Sequence, residues 1–160
     1  MKIELKLGEI NKAVKQLEEY KKQLQEKERL ILEKLAFFGA VNASLEYSRA
    51  IAEENDIQVK VEWVTRNKIK VMASGTQLLF IEFGAGITYG YGHPEASKYG
   101  YGAGTYPSNK GHWDDPNGWW YSKDGESKHT YGNPPSASMY NTARKLEQEV
   151  ERVVREVFGW

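Results

Sequence analysis

The chain has 160 residues, 22 Lys plus Arg against 22 Asp plus Glu, and no cysteine. That length sets one domain able to bury a core, the zero net charge argues against a dominant nucleic-acid role, and the missing thiols exclude disulfides, Cys-ligated metals and thiol catalysis. Met1–Lys6 has no apolar signal core and no run is long enough to span a bilayer, so neither a targeting address nor a membrane anchor is expected.

In chain order, Lys2-Ile3-Glu4-Leu5-Lys6 alternates as a short edge strand that Gly8 breaks. From Glu9 to about Lys34 the chain is mostly Lys, Glu, Gln and Leu, all strong helix formers. Ile10, Val14, Leu17, Leu24, Ile31 and Leu35 keep heptad spacing, with Lys21 and Glu28 interrupting the seam. A helix of roughly 25 residues spans roughly 40 Å, more than a compact domain needs. Two readings stay open: an amphipathic helix packed on the sheet, and a helix that also makes subunit contacts.

Gly39 predicts a bend. A second helical stretch follows, with Phe38, Val41, Leu45, Ser48 and Ala52 on one face, Ser48 being its one polar member. Ile57, Val59, Val61 and Trp63 then alternate with polar residues, and Ile69, Val71 and Ala73 continue the pattern after a turn at Thr65–Lys68. The apolar run Gly75–Gly86 reads as the third strand of an antiparallel meander and the centre of the sheet. In that reading Leu79, Ile81 and Phe83 anchor the sheet to the helices, while Leu78, Phe80 and Glu82 face the other side.

The composition changes after Phe83. Residues 88–136 contain no Val, Leu, Ile, Met or Phe, but hold all three His, all five Pro and seven of the ten Tyr. A loop of that length is usually functional or disordered, and its aromatic content argues for order, at least after assembly. Trp119–Tyr121 and His129–Tyr131 predict a hairpin turning at Lys123-Asp124-Gly125. Asn133-Pro134-Pro135 ends the segment, and Ser136 or Ser138 caps the next helix. That helix carries Met139, Ala143, Leu146, Val150, Val153 and Val157 on one stripe, with Val154 and Phe158 alongside, and stops at Gly159.

The resulting fold class is α+β: long N-terminal helices and a C-terminal helix on a small antiparallel sheet, with a long aromatic and Gly-rich loop. One domain, 1–160, divides into a mainly helical part (1–56), the meander (57–83), a projecting loop with a hairpin (84–135) and the last helix (136–158).

Catalytic constellations are scarce. Gly84-Ala85-Gly86 lacks the third glycine and following helix of a dinucleotide loop. His93, His112 and His129, with Asp114 and Asp115, match no metal spacing. Glu82, between Ile81 and Phe83, suits a structural carboxylate, facing the less buried side of the sheet or paired with Lys or Arg, better than a poised acid or base. Ser44, Ser48 and Ser108 lack a nucleophile elbow. No catalytic, cofactor-binding or metal-binding residue is therefore assigned, and no enzyme is expected. The aromatic loop admits a sugar-stacking surface or a single-strand nucleic-acid platform, but a protein-contact element fits its Tyr and Trp content best. The contact residues are Tyr89, Tyr91, Tyr99, Tyr101, Tyr106, Trp113, Trp119, Trp120 and Tyr121, with Gly84 and Gly86 as hinge glycines.

The order of short motifs is more specific than any of them alone. Phe80-Ile81-Glu82-Phe83-Gly84-Ala85-Gly86 is followed by Gly104-Thr105-Tyr106-Pro107, Gly118-Trp119-Trp120-Tyr121, His129–Pro135, and Ser138-Met139-Tyr140-Asn141-Thr142-Ala143. Over residues 75–158 this series resembles a family of small tail components of long-tailed bacteriophages and prophages, of the neck, head–tail joining or tail completion type. Ala85 stands for that family's usual Thr, Ser138 for its usual Phe before Met139, and Ile81 precedes Glu82-Phe83-Gly84. The resemblance implies a virion structural protein that assembles as a ring, often six-fold, between head connector and tail tube. It implies self-association, contacts with head completion and tail terminator or tube proteins, and no catalysis. It implies residence in the virion, and in the host bacterial cytoplasm during assembly. A cell-wall carbohydrate-binding module using the Trp and Tyr residues is the competing expectation.

Overall fold

The computed structural model describes residues 7–50, 56–87, 92–101 and 115–160. The expected edge strand at residues 2–6 and Ala52 of the second helical stretch lie outside them. The architecture is α+β. In chain order come helix α1 (Leu7–Arg49), strands β1 (Gln58–Thr65) and β2 (Lys68–Ser74), and helix α2 (Leu78–Phe83). A 3₁₀ turn (Ala96–Tyr99), strands β3 (Trp119–Lys123) and β4 (Glu126–Thr130), and helix α3 (Ser138–Phe158) complete it.

Helix α1 runs unbroken for 43 residues, roughly 65 Å. The helix is not interrupted at Gly39. A Cβ there would lie 3.1 Å from Leu146 Cδ1 and 3.2 Å from Val71 Cγ2, so glycine serves the close approach of α3 and β2. The buried line is Ala36, Gly39, Ala43 and Tyr47, and on the stripe read from the sequence Phe38 is half-buried while Val41, Leu45 and Ser48 are exposed. Small residues win the buried side because they let a second helix come near, and the larger aliphatic groups are left outside.

Helix α3 packs antiparallel to α1. Lys145 Nζ donates to Glu46 Oε1 at 2.6 Å, Lys34 Nζ to Glu156 Oε1 at 2.7 Å, and Lys27 lies 4.5 Å over the Phe158 ring. Ser138, Thr142 and Val153 are its buried residues. Ala143 and Val150 of the predicted stripe are exposed, so the buried line is rotated at its N-terminal end.

β1 and β2 form a two-stranded antiparallel hairpin with Val59 opposite Ala73, Val61 opposite Val71 and Trp63 opposite Ile69. The predicted alternation holds in β2, where Ile69, Val71 and Ala73 are half-buried, but not in β1, where Val59 is half-buried and Val61 and Trp63 are exposed; the Val71 contact with Gly39 shows that β2 meets α1. The third strand of the meander does not form. After Ser74 the chain turns, with Thr76 N–H and hydroxyl both donating to Asp56 Oδ2 at 2.8 Å. These bonds hold the Asp56 carboxyl below its usual range. Leu78–Phe83 then coils into a helix. Ile81 and Glu82 are both buried and Leu79 is exposed. Adjacent buried residues fit a helix and contradict strand alternation.

β3 and β4 form a separate two-stranded sheet, with Trp120 opposite His129 and Tyr121 opposite Lys128. Its turn is Asp124-Gly125, with φ of 54° and 80°, as a tight hairpin requires.

Thr142 is 1% exposed and its Oγ1 has no hydrogen-bond partner among the described residues. An unsatisfied buried hydroxyl costs about 1–3 kcal/mol. Thr142→Val, nearly equal in shape, is expected to raise the urea unfolding midpoint, with a gain of about 1 kcal/mol; a lowered midpoint would count against the unsatisfied hydroxyl.

Candidate functional site: the Glu82 anchor and the aromatic segments

Helix α3 begins without a cap of its own. Its N-cap residue is Ala137, in the left-handed region at φ 49°, with no side-chain cap bond. Neither Ser136 nor Ser138 caps it; their hydroxyls bond to each other at 2.9 Å. The free N–H groups of the first turn need an acceptor. Glu82, from α2, supplies it: Met139 N–H donates to Oε1 and Oε2 at 3.1 Å each, and Tyr140 N–H to Oε1 at 3.3 Å. A carboxylate there also complements the positive end of the helix dipole.

Two further side chains close around the same group. Tyr47 Oη donates to Glu82 Oε2 at 2.8 Å. His93 Nε2 lies 3.2 Å from Oε1, and His93 Nδ1 accepts the Glu95 N–H at 3.0 Å. The accepting Nδ1 carries no proton, so Nε2–H is the donor to Glu82. Glu82, His93 and Tyr47 are 6%, 7% and 2% exposed. Burial, then the Glu82 charge and its hydrogen bond, pushes the Tyr47 hydroxyl above its usual range. Contrary to expectation, Glu82 is buried rather than on a less buried side, and among the described residues its donors are phenol, imidazole and amide groups, not Lys or Arg. Its lone pairs are engaged on all sides, as befits an anchor.

Backbone bonds reinforce the anchor. Ser136 N–H donates to Ile81 O at 2.8 Å and Ala137 N–H to Glu82 O at 3.1 Å, while Ala85 and Asn133 exchange two bonds of 2.9 Å. Gly84 and Gly86 have φ of 76° and 82°. A Cβ on Gly84 would lie 2.6 Å from Pro135 N, and one on Gly86 2.4 Å from Tyr131 O. The two glycines thus let the chain leave α2 flat against residues 131–135.

The expected contact residues divide. Tyr89, Tyr91, Tyr106 and Trp113 lie outside the described residues, as do His112 and Asp114. Tyr99 and Tyr101 gather on Phe83, with ring centroids 5.9 and 4.5 Å away. Trp119 and Tyr121 are half-buried, whereas Trp120 is 69% exposed. Trp120, His129 and Tyr131 form a run of edge-to-face rings at 5.0 and 4.9 Å. Among the described residues no group of three His, Asp or Glu is placed to hold a metal ion, and no helix is long and apolar enough to cross a membrane. The reading of spacing missed Tyr47, His93 and Tyr140. One signal was present: Ala137 at a helix start, where Ser or Asp is usual, leaves N–H groups for a distant acceptor.

No family model, curated protein or solved structure matches the chain.

Glu82→Gln places an amide among donors and removes the charge, so a loss of about 2–3 kcal/mol in unfolding free energy is expected, read by urea denaturation; an unchanged value would refute the anchor. The raised Tyr47 value has a signed consequence. Its contribution is complete below the unfolded tyrosine value of about 10 and is lost as pH rises beyond it toward the folded value. Stability should therefore fall above about pH 10, and fall less steeply in Tyr47→Phe, in denaturation curves taken across that range.

Proposed function

We propose that the chain is a structural subunit of a tailed bacteriophage or prophage particle. It assembles as a ring at the head–tail junction or tail end and connects head connector to tail tube. The observation that carries this reading is the ordered motif series over residues 75–158. Its support is that Glu82-Phe83-Gly84, Asn133-Pro134-Pro135 and Ser138-Met139-Tyr140, far apart in the chain, meet at one anchor. A motif set whose members touch is a packing unit, and a packing unit suits a scaffold. Further support comes from the exposed Leu17, Phe37 and Trp120, since apolar surface left open on a single chain marks contact with other proteins. On this reading the partners are other copies of the chain, head completion proteins and tail terminator or tube proteins. The chain then resides in the virion and, during assembly, in the bacterial cytoplasm, and performs no catalysis.

The carbohydrate-binding alternative has one observation in its favour, the exposed Trp120. Its neighbours weaken that: the interplanar angles of 63° to His129 and, from His129 to Tyr131, 81° leave no shared flat face for sugar rings to stack on.

Deleting the coding sequence from the phage or prophage that carries it is expected to yield separate heads and tails in electron micrographs, with joining restored by the supplied protein. Intact, infectious particles from the deletion would overturn the reading.

A further inference from the structure

Every residue from Leu7 to Leu24 is exposed. Within that span Leu7, Ile10, Val14, Leu17 and Leu24 continue, at heptad spacing, the seam that reaches Ile31 and Leu35. Alongside α3 that side of α1 is covered, as far as Lys27 against Phe158. Beyond it the seam runs on bare. In proteins most helical stability comes from packing an apolar face, and this bare seam packs on no described residue of its own chain.

A second bare stripe lies on the other half of the same helix. Leu30, Phe37, Val41 and Leu45 are 43%, 71%, 41% and 48% exposed. At 100° per residue they sit roughly 150° round the helix from the buried line Ala36, Gly39, Ala43 and Tyr47. The two stripes match in length: roughly 26 Å from Leu7 to Leu24 and roughly 22 Å from Leu30 to Leu45.

We propose that residues 7–24 of one copy pack lengthwise on the Leu30–Leu45 stripe of the next copy. The occupant is a second copy because the bare seam continues the chain's own α1–α3 interface and matches the second stripe in length and apolar character. The stripes lie on opposite faces and different halves of α1, so the contact is head-to-tail. A joined pair keeps one free stripe of each kind, one on each copy, and the contact repeats until it closes into a ring or extends as a filament. Symmetric pairing of two 7–24 segments in parallel would set Lys21 against Lys21 in the seam and leave Phe37, Val41 and Leu45 in water. This inference rests on the ring-subunit reading and supplies the contact between its subunits.

The chain has no cysteine, so paired thiols test it cleanly. Leu17 and Phe37 lie near the middle of each stripe, where parallel and antiparallel packing nearly coincide. Within one helix they stand roughly 30 Å apart, too far to link in cis. Leu17→Cys with Phe37→Cys in one chain, treated with a short bis-maleimide, is expected to give a ladder of linked oligomers on a denaturing gel. Each single variant should stay unlinked. Dimers from Leu17→Cys alone would overturn the proposal in favour of symmetric pairing. Light scattering adds a second reading: Leu17→Glu should reduce the mass to that of one chain while the thermal unfolding of the body is unchanged. An oligomer that gives no ladder, or that keeps its mass in Leu17→Glu, overturns this contact but leaves the ring reading standing. Wild-type protein that is monomeric at high concentration overturns the contact as well; the ring reading itself is judged separately by the head–tail joining assay.

Discussion

The fold depends on one buried carboxylate. Among the described residues no Lys or Arg pairs with Glu82, and a charge taken out of water without partners is costly. Its oxygens instead take donors from α1 through Tyr47, from the first turn of α3 through Met139 and Tyr140, and from the segment after α2 through His93. The two problems solve each other: an uncapped helix start needs an acceptor and a buried carboxylate needs donors. Because the donors come from different parts of the chain, the elements must arrive together for any of them to be satisfied.

Around that anchor the chain separates what is packed from what is presented. Ala36, Gly39 and Ala43 line the closely packed side of α1, and Leu146 and Val71 fill the space that Gly39 leaves. Larger apolar groups sit outside, on the bare seam of residues 7–24 and on the stripe containing Phe37. The aromatic segment follows the same division. Tyr101 is drawn in half-buried against Phe83, next to the anchor, while Tyr99, which also touches Phe83, is exposed, as is Trp120 on its hairpin. Left-handed backbone at Gly84 and Gly86 makes the join, passing the chain so close to residues 131–135 that a side chain would collide.

Patterns that depend on neighbours along the chain were legible. The alternation of Val59, Val61 and Trp63 against Ile69, Val71 and Ala73 named a hairpin, and that hairpin forms in the expected pairing. Asp124-Gly125 between aromatic runs named a second, with a turn that only positive φ allows. The helical composition of residues 9–34 and the amphipathic stretch after Ser138 named the two long helices. These signals are local: strand alternation, turn chemistry and helix propensity act over a few residues, and no distant partner is needed to express them.

The run Gly75–Gly86 shows where local rules stop. Its apolar residues satisfy a buried strand and a buried helix equally well, and the sequence by itself established only that it is buried and bounded by glycines. Tertiary structure made it a helix, because only a helix turns Ile81 and Glu82 together toward α3. The same holds for Gly39, read as a plausible bend and found at the close approach of α3 and β2, and for the stripe with Val41 and Leu45, whose exposure its spacing alone did not decide. A helix with several apolar faces does not say which one its neighbour will choose. That choice was made by distance of approach, which small residues win, and by the one carboxylate whose donors had to meet.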